Sequence, residues 1–296
     1  MKNNFLTKFK NTVSGTKVNI NLEEAPSKLV AVVVPLSNRE ELTPAETISF
    51  NHLTHFLGNY DKYLVAPKSL QINYSDFTIK RFDNRFFGSA AAYNKLMLIP
   101  KFYEAFIDYK FILLYHLDSL VFSDDLIKWC ERDFDYIGAP WIKFPDAPYA
   151  GMPAYEGKVG NGGFSLRKIR SFLKVFDSKT PEIDPTVYWK ENFSSKPAYV
   201  QVRNFHKRLL KRMRIFNSVR WELSRYTKNE EHFWANRATH YYPQLKIAPV
   251  DVALAFAFEN APRLCYIQNN HKLPFGCHAW EKYDREFWKP YLINDL

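Results

Sequence analysis

Cysteine is scarce: Cys130, Cys265 and Cys277 are the only three in 296 residues. They are far apart, with neither the paired spacing of a zinc site nor the even, dense pattern of a disulfide framework. That usage fits a reducing compartment, so a cytoplasmic location is expected. Long apolar runs are also missing. No stretch approaches the roughly 20 apolar residues that a membrane-crossing helix needs. The opening "MKNNFLTKFKNTVSGTK" is basic and polar, with no apolar segment of signal-peptide length, and it reads as an ordinary terminus. There is no internal repeat, low-complexity tract or linker. One domain over residues 28–296, preceded by an extension over 1–27, is the simplest organisation.

What is present is ordinary in bulk and unusual in detail. Hydrophobic residues at 46% and charged residues at 24% describe a globular protein. Aromatics at 17% can fill a core, and they can also provide stacking surfaces for sugars or bases. The net charge of +10 calls for an anionic partner: a nucleotide, a nucleic acid or a membrane surface. The charge is uneven, with nine Lys/Arg and one Glu between Arg203 and Lys228.

"KLVAVVVP" (28–35) is a β-branched run stopped by proline, which predicts a buried strand. In the following segment Thr43 suits an N-cap, Pro44 the first helical position and Gly58 the end of a helix. "DKYLVAP" predicts a second strand. The chain thus opens β–α–β, the start of a mostly parallel sheet flanked by helices, and the fold class is α/β. Ser89 to Tyr109 reads as a helix kinked or broken near Pro100, and "KFILLYHLDSLVF" as a central strand. A helix capped near Ser123, a strand over 134–141, a loop over 142–160, then a turn, strand and helix over 161–176 follow. "DSKTPEIDPTVYWKENFSSKP" is irregular. From Val202 to Leu223 apolar residues recur with helical period opposite a basic face. That stripe is expected to pack on the domain, with Lys207, Arg208, Lys211 and Arg212 outward. The basic face is either a solvated surface or, over 203–225, a contact with anionic lipid. "NEEHFW" opens a further helix with Asn229 as its cap.

Asp118, in "FILLYHLDSLVF", is a carboxylate at the end of an apolar strand. In open parallel sheets ligands bind beyond the carboxyl ends of strands, where an aspartate can hold a cation bound to phosphates. The alternative role is a helix cap or a partner for a buried arginine. The two glycines of "NGGFSLR" allow close approach of a ligand to the backbone, or simply make a tight turn. Glu230 and Glu231 start a helix, where acids stabilise the dipole and where one of them could act as a general base.

"HLDSLVF", "YIGAPW", "NGGFSLR", "NEEHFW" and "FGCHAW", in this order from about Lys28 to Trp280, resemble a bacterial glycosyltransferase-like family of the GT-A fold, whose members are largely uncharacterised. The resemblance implies a single GT-A-like (nucleotide-diphospho-sugar transferase) domain. It sets His116 and Asp118 against the two acids of an Asp-x-Asp metal motif, with histidine replacing the first. It implies a divalent metal, Mn²⁺ or Mg²⁺, on Asp118 and His278. It assigns Pro35, Asn38, Arg39, Lys95, His116, Asp118, Asn161, Gly162 and Gly163 to the donor. Glu231, with Glu230 as the near alternative, becomes the base of an inverting transfer. The implied reaction moves a sugar from a nucleotide diphosphate, with UDP expected, to a hydroxyl of a surface polysaccharide or glycolipid, at the inner face of a membrane. A non-catalytic nucleotide- or glycan-binding protein is the alternative. No nucleic-acid motif is present, and no nucleic-acid partner is expected.

Overall fold

The computed structural model describes residues 22, 24–142 and 155–293. The first unit is β1 (Lys28–Pro35), α1 (Pro44–Leu57), β2 (Asp61–Pro67) and β3 (Thr78–Phe82). Thr43 caps α1 in a reciprocal capping box: its hydroxyl accepts from the Glu46 amide, and Glu46 accepts from the Thr43 amide. Next come α2 (Ala90–Met97), α3 (Pro100–Glu104), β4 (Tyr109–Tyr115), β5 (Leu120–Val121), α4 (Leu126–Glu131), β6 (Tyr136–Gly138) and β7 (Pro140–Ile142). They are followed by β8 (Tyr155–Val159), β9 (Phe164–Lys168), α5 (Ile169–Phe176), α6 (Pro185–Phe193), α7 (Ala198–Arg212) and α8 (Val219–Ser224). The chain continues through α9 (Glu230–Asn236), α10 (Ala238–Tyr241), α11 (Val250–Phe256), β10 (Ala257–Phe258), α12 (Pro262–Gln268), β11 (Gly276–Cys277) and α13 (Arg285–Trp288).

The main sheet has the order β3-β2-β1-β4-β9-β6. The first four strands are parallel, and β9 runs antiparallel to both of its neighbours. This is the α/β class and mostly parallel sheet that the sequence predicts. Both faces are covered, so the central strands read as unbroken apolar runs. Ala31, Val33, Ile112 and Leu114 face one core, which contains Phe172 and Trp234. Val32, Val34, Leu113 and Tyr115 face the other, with Leu53 and Phe256. A small sheet, β10-β11-β5, joins the C-terminal segment to the end of β4.

Several local expectations are corrected. The strand read over 134–141 is two strands, because Pro140 starts β7. The loop read over 142–160 contains β8, paired antiparallel with β7, and its residues 143–154 lie outside the described residues. Of the extension over 1–27, only residues 22 and 24–27 are described. Asp125, not Ser123, occupies the N-cap of α4 and makes no side-chain cap bond; Ser123 donates to its carboxylate instead. The stretch read as irregular holds α6, which starts at Pro185 with the Asp184 carboxylate accepting from the amides of Thr186 and Val187.

The basic helix is two helices. Arg214 and Phe216 take left-handed backbone angles, and Ser218 caps α8. The largest departure concerns the apolar stripe of α7. Val202, Phe205, Leu209 and Met213 are exposed instead of packed, and only Val219 and Leu223, on α8, reach the core. Arg208 and Lys211 do not face outward as expected. They turn in toward α6, over the rings of Trp189 and Tyr188; Lys207 is exposed but also lies over Phe193 of α6, and Arg212 is exposed.

Candidate active site

The chain leaves β4 at Tyr115 and turns through His116 and Asp118 into β5. Pairing of Tyr115 with Phe164 brings the start of β9 to the same sheet end. The His116 amide donates to the Gly163 carbonyl at 2.7 Å, so the Gly162–Gly163 turn lies across the strand end. The small sheet adds the remaining parts. Antiparallel pairing sets Leu120 beside Cys277, which brings their neighbours Asp118 and His278 together. His278 Nε2 lies 3.3 Å from Asp118 Oδ1. Parallel pairing of β10 with β11 places Glu259, next after β10, 3.0 Å from His278 Nδ1.

The charges in this cluster are strongly perturbed. Burial disfavours a charged His278, but its hydrogen bonds to Asp118 and Glu259 outweigh that and push it up to about 10. Burial pushes the Asp118 carboxyl up, and the hydrogen bond and charge of His278 overcome this and hold it well below the usual carboxylate range. The Asp118 side chain remains 52% exposed. Burial pushes His116 down to about 4, which makes it neutral at pH 7. Its Nε2 is buried and has no hydrogen-bond partner among the described residues. Tyr93 of α2 packs edge-on against this ring at 4.8 Å.

Ligand atoms of His116, Asp118 and His278 all lie within 4.8 Å of one another, close enough for one divalent cation to touch all three. The donor chemistry fits such an ion. A buried imidazole nitrogen lacks a partner, a half-exposed carboxylate lies beside it, and the second imidazole, on giving up its Nε2 proton to an incoming ion, would keep a carboxylate on its far nitrogen, as metal-ligating histidines commonly do.

Behind the turn lies a second, sealed cluster. Arg167 of β9 and Glu230 of α9 are both fully buried and form a bidentate pair at 2.6 and 2.9 Å. Burial raises the Glu230 carboxyl against the pull of Arg167, while the carboxylate keeps the guanidinium firmly protonated. Arg167 also donates to Tyr103, Ser165 and the Asn161 carbonyl. The Asn161 side-chain oxygen accepts from the Gly163 and Phe164 amides at 2.7 and 2.9 Å and so shapes the turn. Asn229 occupies the N-cap of α9, as expected, but makes no side-chain cap bond. Asn94 of α2 accepts from the Glu230 amide instead and binds the Asn229 side chain.

The two glycines are narrow points between these clusters. A Cβ on Gly163 would collide with the His278 imidazole. A Cβ on Gly162 would lie 3.0 Å from Glu230 Oε1 and 3.4 Å from Glu231 Oε2. Glu231 is only partly buried, and the ring of the next residue, His232, packs against Trp141 at 4.6 Å. Trp141, Lys158, Tyr226, Lys228 and His232 contribute to the wall of a cavity of about 530 Å³.

His116, Asp118, Asn161, Gly162, Gly163, Glu230, Glu231 and His278 therefore converge. Among the described residues, no hydrogen bond or ion pair ties Pro35, Asn38, Arg39 or Lys95 to them. Pro35 ends β1, Asn38 and Lys95 are exposed, and Arg39 is bound to Glu46 in the α1 cap at 2.8 Å. Sequence reasoning missed Tyr93, Arg167 and Glu259. Strand alternation in "FSLR" puts Ser165 and Arg167 on one face, but no local signal marks Glu259.

No curated protein matches the sequence. Among solved structures the chain is similar to the galactosyltransferase LgtC in complex with donor and acceptor sugar analogs, at 11% identity over 90% of this chain and 97% of that one, with a TM-score of 0.44. It is similar to the glycosyltransferase GlyE of Streptococcus pneumoniae TIGR4, at 13% identity over 91% of this chain and 61% of that one, TM-score 0.40. It is also similar to S. aureus TarS 1–349 in complex with UDP-GlcNAc, at 13% identity over 49% and 46%, TM-score 0.30. The chain thus spans less than two thirds of GlyE and of TarS. At such identities the likeness is one of fold alone. Residues 76–278, which include every member of both clusters, match the family model described as "Protein of unknown function (DUF5672)", and the chain belongs to that family.

Proposed function

We propose that the protein is a metal-assisted glycosyltransferase that uses a nucleotide-diphosphate sugar, a UDP-sugar by the sequence resemblance, and a hydroxyl-bearing glycan or glycolipid acceptor. One observation carries this reading: a cation-type cluster at the carboxyl end of β4 and the Glu231 carboxylate lie on either side of the Gly162–Gly163 turn, and His232, next to Glu231, lines an open cavity. His116, Asp118 and His278 would hold the divalent ion. The ion, when bound, would neutralise charge on the departing diphosphate. The donor set favours Mn²⁺ over Mg²⁺, because two of the three ligands are imidazoles.

Glu231 is the base in this reading. It takes the proton of the acceptor hydroxyl as that oxygen bonds to the anomeric carbon and the bond to the diphosphate breaks. Attack opposite the leaving group inverts the configuration. Glu230 is excluded from the role because both of its oxygens bind Arg167 and its side chain is fully buried. It acts as a positioning residue that ties α9 to the Asn161–Gly163 turn. The cavity beside Trp141 and His232 offers a ring face for the acceptor sugar.

A thermal-shift screen of nucleotide sugars, with and without Mn²⁺, tests the binding half. A bound donor raises the midpoint by mass action, and the shift should need both metal and diphosphate. A donor that binds but is never consumed, under any acceptor, would favour the non-catalytic alternative. A product with retained anomeric configuration would remove the base mechanism.

A further inference from the structure

From the α6–α7 hairpin we infer a docking surface for an anionic lipid bilayer, independent of the transfer chemistry. The hairpin stands apart from both cores. No residue of α6 is buried, and Asn204 alone is buried on α7. Its base is locked by fully buried Asn217, whose side chain donates to the Ile183 and Lys211 carbonyls and accepts from the Ile183 amide. Between the two helices, Trp189 packs on Phe193 and Phe205, and Arg208 and Lys211 lie over Trp189 and Tyr188. The hairpin is therefore well built, yet its outer side is greasy.

Tyr199, Val202, Phe205, Leu209 and Met213 are each between 51 and 78% exposed. At about 100° per residue they fall on one face of α7, opposite Asn204 and Lys211. Phe216, 52% exposed, extends the stripe beyond the helix end. Arg203 and Arg212 flank this face, Lys207 is exposed on the far side over Phe193, and no acidic residue occurs from Asn192 to Trp221. An apolar face bordered by cations, on a helix that itself carries no acid, matches the chemistry of an interfacial helix.

Charge selects the occupant. The N-terminal stretch of this chain carries Lys2, Lys8, Lys10 and Lys17 and no acid before Glu23, so it is repelled. A second copy of a chain with net charge +10 would set two basic faces against each other. An anionic headgroup layer with acyl chains beneath it complements both the cations and the stripe.

Vesicle co-sedimentation tests this. The full chain is mixed with vesicles of phosphatidylcholine alone, or of phosphatidylcholine and phosphatidylglycerol in equal parts, at low and high salt. Binding should need phosphatidylglycerol and weaken with salt. Exchanging Arg203, Lys207 and Arg212 for Gln should lower partitioning about 10²-fold, at about fivefold per charge. Phe205→Ser with Leu209→Ser should lower it by about 10²-fold. Both variants should keep the parent's circular dichroism, with only a small fall in thermal midpoint, because Phe205 also packs on Trp189 and Lys207 lies over Phe193. Absent or lipid-indifferent binding by the parent chain, or wild-type binding by either variant, overturns the proposal. So does a dimer in sedimentation velocity that the Phe205/Leu209 variant dissolves, because a second copy would then own the face.

Discussion

Gly162 and Gly163 separate two charged clusters that look alike in sequence and differ in kind. Behind the turn, Arg167 and Glu230 satisfy each other in two short bonds, with Tyr103, Ser165 and Asn161 completing the guanidinium. In front, Asp118 is half exposed and His116 has a buried nitrogen with nothing to bind among the described residues. A buried charge that is fully paired serves the fold, because losing one partner strands the other. A polar atom held without a partner is costly unless a ligand completes it. The difference in satisfaction, more than any difference in residue type, separates a completed scaffold from a candidate site.

Four substitutions should separate the two clusters. Asp118→Asn should have the largest effect, with no measurable transfer while the fold survives at a somewhat lower thermal midpoint, since His278 loses a charged partner, read from product formation and calorimetry on the same sample. Glu231→Gln should lower turnover about 10²–10⁴-fold while donor KM holds. Glu230→Ala should behave in the opposite way, losing about 3–5 kcal/mol in denaturant unfolding because Arg167 is left buried and unpaired. If Glu230→Ala leaves stability intact and Glu231→Gln lowers it, the roles of scaffold and site are exchanged. Glu259→Gln should have the smallest effect, weakening Mn²⁺ binding about 10–100-fold in calorimetric titration through loss of the carboxylate behind His278.

How legible all this was depended on how local the cause is. β1, α1 and β2 were readable because their signals lie within the segments: a β-branched run, a capping box and a proline at the first turn. The end of β4 and the Asn161–Gly163 turn were readable as special for the same reason. Strand direction was not. β9 is antiparallel because its start pairs with the end of β4, a contact about 50 residues away in sequence. Adjacent helical residues point about 100° apart, so only one of Glu230 and Glu231 was expected to face the cleft. Arg167 settles which one is buried, and nothing near residue 230 reveals that. Glu259 reaches the site only through the pairing of β10 with β11. Helical periodicity correctly located the stripe of α7, but a stripe specifies a face and not what lies against it.

The proposed role of the front cluster is that of a metal–diphosphate site at which a sugar is transferred. Its most direct test is release of free nucleotide diphosphate from a panel of UDP-sugars, with Mn²⁺, after EDTA, and after Mn²⁺ is restored. Release is expected from at least one sugar, with loss in EDTA, return with Mn²⁺, and none at any stage from the Asp118→Asn protein. Release that ignores EDTA, or that persists in the Asp118→Asn protein, would contradict it.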